Sequence, residues 1–185
     1  MLDACAELID EVGYDGLSTT LLAERAGVAI GSVYQFFPDK RAIVQALTLR
    51  NVEAYLERLA DRIPAGELAD WWDGVDAAIE EYIELHRSVP GFRTLHFGDV
   101  VDVHLIDPDR DNNAVIADHL TELLIRYHSA PDSTKLRFAL VIAVESADAL
   151  IKLAFRRHPD GDESVLKEAK VLVRGYLQTA STDVY

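Results

Sequence analysis

Cysteine is nearly absent. Among 185 residues only Cys5 carries a thiol, so no internal disulfide can staple the chain, and its place on a stripe with Leu2, Ile9 and Val12 reads as plain core. Long apolar runs are missing as well: residues 138–144 are closed off by Glu145 and Asp148, far short of a bilayer span. Nothing at the amino end reads as a secretion signal, and the expectation is a cytoplasmic protein without a membrane partner. Basic charge is scarce, with 18 Lys and Arg against 32 Asp and Glu for a net charge of -14, which argues against a protein that coats nucleic acid over its whole surface. There is no G-x-S-x-G elbow, phosphate loop or H-E-x-x-H, and the acids follow no catalytic pairing. The chain therefore reads as no enzyme, with no cofactor. Strand-period stretches, internal repeats and low-complexity segments are likewise absent.

What the sequence does have is apolar content, 49%, enough for a real core, and helical periodicity nearly throughout. The chain is organised around residues 17–40, LSTTLLAERAGVAIGSVYQFFPDK. Ser18 is a helix N-cap, and Leu21, Leu22, Ala23 and Ala26 form the buried face of the helix it opens. Gly27 permits the left-handed turn that ends it, with Val28 tucked beneath. A second short helix spans 30–36. Val33 with Phe36 or Phe37 faces inward, which leaves Ser32, Tyr34 and Gln35 on a slim outward face shaped to read DNA.

The signature A-G-V-x-x-G-S-V-Y-x-F-F-x-D-K, Ala26 through Lys40, resembles the helix-turn-helix of TetR-family transcriptional regulators. The resemblance is specific over 2–47 and only architectural beyond. It implies an all-α fold, with a three-helix DNA-binding head at 1–47 and a larger helical ligand-binding and dimerisation body at 48–185. It also implies partners: a double-stranded DNA operator, a second copy of the chain and a small, largely apolar effector. Ala29 departs from the family pattern, which usually has a capping Ser there. The family's basic arm ahead of the first helix is not seen in these residues, and the expectation is either its absence or modest affinity.

Both halves are acidic: residues 1–50 hold four basic and seven acidic side chains, and 51–185 hold fourteen and twenty-five. Within 25–50, however, Arg25, Lys40, Arg41 and Arg50 outnumber Glu24 and Asp39, a local excess of +2. Tyr34, Lys40, Thr19 and the first amides of the fourth helix suit phosphates. Gln35, Ser32, Thr20, Ile30 and Gly31 suit base edges, with Gln35 on adenine and Ile30 on a thymine methyl. Ser18 completes the DNA-facing set.

The rest of the chain reads as follows. A first helix at 2–12 ends at Gly13. A long fourth helix, capped by Asp39 and stopped by Pro64, is the one evident mechanical link between head and body. Helices follow at 67–88, from just after a polar turn at 107–113 to about 128, at 134–157 and from about 163 to 179, with 92–101 of uncertain form. Helix 134–157 is apolar almost all round. Its small residues Ala139, Ala143 and Ser146, with Leu150 and the final helix's Leu166, Leu172, Val173 and Tyr176, suit a four-helix dimer interface.

Trp71, Trp72, Tyr82, Phe92, His96, Phe97, His104, His119, Tyr127, Phe138 and Phe155, with Glu145 as an acid inside an apolar helix, suit a ligand pocket. Asp107, Asp109, Asp111 and Asp118 fall at calcium-loop spacing, but Asn112 stands where that loop needs Gly, so a solvated turn is the better reading. The histidines show no i,i+4 pair, and no metal is expected. The function these features suit is an effector-released repressor binding a near-palindromic operator as a dimer. The alternative is a helical small-molecule or partner-binding protein with a weak or vestigial DNA-binding head.

Overall fold

The computed structural model describes residues 1–62, 70–95, 112–128 and 132–182, with the side chains of 127–128 and 181–182 left aside. The described residues form eight helices and no strand: α1 Leu2–Gly16, α2 Thr19–Ala26, α3 Ile30–Phe36, α4 Lys40–Arg62, α5 Trp71–Ser88, α6 Asn112–His128, α7 Thr134–Arg157 and α8 Glu163–Thr182. None is long and apolar enough to cross a membrane.

Local chemistry sets most of these boundaries. Ser18 Oγ accepts from the Leu21 amide, and Gly27 ends α2 at φ 66°, the left-handed conformation a side chain would resist. Asp39 Oδ1 accepts from the Ala42 amide and opens α4, and Ser133 does the same for α7 through the Leu136 amide. Two boundaries differ from the sequence expectation. Gly13, at φ 68°, kinks α1 without ending it, and the helix runs one more turn to Gly16. Helix α5 begins at Trp71 because Asp70 and Asp73 close a reciprocal capping box.

Two apolar clusters result. The head buries Leu8, Ile9, Leu22, Val33, Ile43 and Leu47 with Cys5, while the body buries residues of α4 to α8 around Tyr55, Leu85, Leu140 and Ile151. Helix α4 serves both. At 23 residues it is about 34 Å long. Its first turns pack into the head through Ile43, Val44 and Leu47, and its later turns into the body through Val52, Tyr55 and Leu59. Arg58 and Arg62 also reach the nearly buried Glu81 of α5 at 3.4 and 3.2 Å.

Helix α4 is not the single link that the sequence suggested. The turn after α5 makes a second one. Its Gly91 amide and Thr94 hydroxyl donate to the two oxygens of Asp10 on α1, at 2.7 and 2.8 Å. Leu95 is buried in the head cluster while Phe92, three residues earlier, is buried in the body.

Cys5 lies wholly inside the head, and burial pushes its thiol from 9.0 up to about 11. The folded chain therefore holds this proton more tightly than the unfolded chain. The resulting stability is complete below pH 9 and is lost as pH rises toward 11, an expected fall of about 2 kcal/mol. Urea midpoints at pH 8 and pH 11 should diverge for the native chain more than for Cys5→Ala. An equal drop in both would remove the thiol as the cause.

Candidate DNA interface and body cavity

The sequence places the reading residues on α3, and the structure leaves them on its outer face. Only Val33 is buried. Ile30 is 41% exposed and Tyr34 53%, with Gln35 and Gly31 also exposed and Ser32 half-buried. Tyr34 is thus no core tyrosine: its hydroxyl is hydrogen-bonded to that of Thr19 on α2 at 3.1 Å. The pair carries hydroxyls from both helices of the motif to one point. Thr20 is exposed beside it, while Ser18 has its oxygen engaged as the α2 cap. Ala29 heads α3 without any side-chain cap bond.

Phe37 is the aromatic that packs toward the head core, and Phe36 stands 67% exposed next to Gln35. The sequence pattern could not choose between adjacent phenylalanines at the end of so short a helix. Phe36 is therefore an outward residue that the sequence reading did not assign to this face.

Lys40 is engaged within the head. Its ammonium donates to the Tyr14 carbonyl at 3.0 Å and sits 4.2 Å from the centre of the Tyr14 ring, so it fastens the start of α4 to the end of α1. The last turn of α1 has carbonyls without helical partners, and a nearby cation is a natural donor to them. The local positive excess is also largely engaged. Arg25 forks onto Glu11 at 2.5 and 2.9 Å and reaches Glu7 at 3.4 Å, and this bonding holds the Glu11 carboxyl below its ordinary range. Arg50 pairs with Asp3 at 2.6 Å.

In the body, side chains of α4 to α8 line a cavity that is partly open to solvent. Aliphatic side chains such as Val75, Ile116, Leu120, Leu140, Ile151 and Val173 make most of its wall, and Tyr55 contributes from α4. Its polar lining residues are few among those described: Tyr55, Tyr82, Asn113 and Asp148, with Asn113 only 2% exposed. The Tyr82 hydroxyl donates to Asp148 Oδ1 at 2.7 Å, and Lys152 meets Asp148 Oδ2 at 2.8 Å. Tyr55 donates to the Ala78 carbonyl at 3.1 Å, and burial raises its hydroxyl pKa further.

Of the aromatic and polar set read from the sequence, Tyr82 lines this cavity. Phe92 and Phe155 instead clasp the buried His86, whose ring stacks on Phe155 at 4.9 Å and meets Phe92 edge-on at 5.0 Å. Trp71 and Trp72 form an edge-to-face pair at the start of α5, with Arg174 over Trp72. Phe138 is 64% exposed, and His119 is half-buried on α6. His96, Phe97, His104 and the Tyr127 side chain lie outside the described residues, as do Asp107, Asp109 and Asp111. Among the described residues no cluster of His, Cys, Asp or Glu could hold a metal.

Glu145 is exposed; the buried acid of α7 is Asp148, three residues on and about 60° round the helix. Its signal was the four-residue spacing to Lys152, an ion pair on an otherwise apolar face. The small-residue strip also divides. Ala139, Ala143, Leu166 and Val173 are each at most 4% exposed in the single chain. Leu172 and Tyr176 remain 56% and 37% exposed, Ser146 is exposed and Leu150 half-buried.

Two family models match this arrangement: "Bacterial regulatory proteins, tetR family" over residues 1–47, and "Tetracyclin repressor-like, C-terminal domain" over 69–181. The chain belongs to the TetR family. It is a DNA-binding transcriptional regulator of that non-enzymatic family. A solved TetR-family regulator from Streptomyces coelicolor is 42% identical, covers 97% of this chain and 96% of its own, and superposes with a TM-score of 0.82. The helix-turn-helix regulator YvdT of Bacillus subtilis is 31% identical over 92 residues, 48% of this chain and 46% of that protein. The class A tetracycline repressor of Escherichia coli is 47% identical over 47 residues, 25% of this chain and 22% of the repressor. The matches thus span under half the length of these two curated relatives, and the tetracycline repressor match is confined to a head-sized segment.

Proposed function

We propose that this TetR-family chain is a homodimeric repressor, with residues 1–47 reading a near-palindromic operator and residues 48–185 binding a small apolar effector that releases it. The observation that carries this reading is the course of α4. One side chain of that helix, Tyr55, lines the body cavity, while Leu47, two turns earlier, is buried in the head. A ligand that fits the cavity in only one of two α4 positions would bias the head by its difference in affinity for the two. The exposed Leu172 and Tyr176 of α8, with Phe138 of α7, offer apolar surface to a second copy. Two heads so paired would enter successive major grooves about 34 to 36 Å apart.

Selection from random duplex DNA by the purified chain at moderate salt tests the reading, with an enriched two-fold-symmetric site as the expected result. In that site, Gln35→Ala should relax sequence preference at one base position, where a good bidentate contact discriminates by about 1–3 kcal/mol. Tyr34→Phe removes a hydroxyl from the Thr19 pair and should weaken all sequences alike, by about tenfold. Uniform losses from Gln35→Ala, measured by competition against point-changed sites, would refute its base-reading role.

A second reading has one observation in its favour. Arg25, Arg50 and Lys40 are all held by groups within the head, leaving little positive charge committed to phosphates. A folded dimer that enriches no site would establish it: a helical binding protein with a vestigial head.

A further inference from the structure

Among the described residues that line the body cavity, Asp148 alone carries a formal charge, and its acceptor-only oxygens restrict what can enter. Asp148 is 6% exposed and lines the cavity, whereas Lys152, which pairs with it, is not part of the lining. Asp148 accepts one hydrogen bond on each oxygen, from Tyr82 and from Lys152. A carboxylate can accept about four, so it retains acceptor capacity toward the cavity and has no proton to donate. A ligand carboxylate or phosphate would lose its water to a mostly aliphatic wall and bring only acceptors to Asp148 oxygens that themselves only accept. An ammonium would also have to shed its water, and it would meet an acid already neutralised by Lys152. A hydroxyl or amide N–H fits: it donates to Asp148 at little desolvation cost, while its apolar remainder covers the aliphatic wall.

Resting on the reading of this cavity as the effector site, we propose that it selects neutral, mainly apolar molecules carrying one hydrogen-bond donor and rejects carboxylates of the same skeleton. Three probes of one length test the proposal by calorimetric titration of the full chain near pH 7.5: 1-octanol, 1-methoxyheptane, which lacks the donor, and octanoate. Octanol should bind at least tenfold tighter than octanoate and several-fold tighter than the ether. Asp148→Asn should erase or invert the alcohol-over-carboxylate ratio, because the amide can donate and Lys152 no longer has its carboxylate. Should that variant fail to fold, Tyr82→Phe, which keeps the charge of Asp148, should still reject octanoate.

Octanoate binding as tightly as octanol to the native chain would overturn the donor preference while leaving the cavity as a ligand site. An unchanged ratio in folded Asp148→Asn would overturn the assignment to Asp148. Failure of all three probes at millimolar concentration would overturn the cavity itself as a site for small apolar molecules, and this inference with it.

Discussion

Gly91→Ala is expected to destabilise the chain by about 3 kcal/mol and to loosen the head from the body. Two physical terms add here. Gly91 sits at φ 75°, where a Cβ costs about 1–2 kcal/mol. That Cβ would also lie 2.9 Å from the Ala6 Cα, a backbone atom that cannot rotate out of the way. Relief requires the turn to retreat from α1, which would break the bonds from Gly91 and Thr94 to Asp10. Asp10→Asn keeps the backbone contact and weakens only the hydrogen bonds, so about 1 kcal/mol is expected for it. The double variant should cost little more than Gly91→Ala alone, since both act on one contact. Urea unfolding measures all three, and wild-type stability in Gly91→Ala would mean that Ala6 yields and the two elements are not locked.

Replacing Lys152 by Met should cost about 3–5 kcal/mol, because it leaves the 6% exposed carboxylate of Asp148 without its cation. Restoring neutrality with Asp148→Leu on the same chain should recover most of the loss, since a buried ion pair is commonly worth no more than apolar side chains of similar volume. A cost below about 1 kcal/mol for Lys152→Met would show that the Tyr82 hydroxyl and entering water suffice to hold the charge. The two outcomes separate a pair kept for stability from one kept for the cavity it borders.

The head was legible because its instructions are short-range. Ser18, Gly27 and Asp39 each act within three residues of where they stand, and one sequence window contains both the residue and the group it satisfies. Where the sequence reading fell short, the deciding partner was distant in the chain. Lys40 looked like a free cation until Tyr14 came alongside, and Arg25 until Glu7 and Glu11 did. Helix α7 shows the same limit. Its nearly continuous apolar surface required burial on several sides, but periodicity cannot tell a neighbour in the same chain from one in a second copy. Helices α6 and α8 of the same chain both pack on α7, and the cavity lies against Ala143 and Asp148. The contact between Asp10 and the turn at Gly91 joins residues 81 apart and has no local signature at all.

That contact has a mechanical meaning. A head carried on α4 alone would resemble a paddle on a single shaft, free to tip in any direction and to spin about the shaft. Fastened also through Asp10, it becomes a door on two hinges, and the line through the two fastenings is the axis about which it swings most easily. Any motion that the body passed to the reading helices would be confined to that one rocking direction.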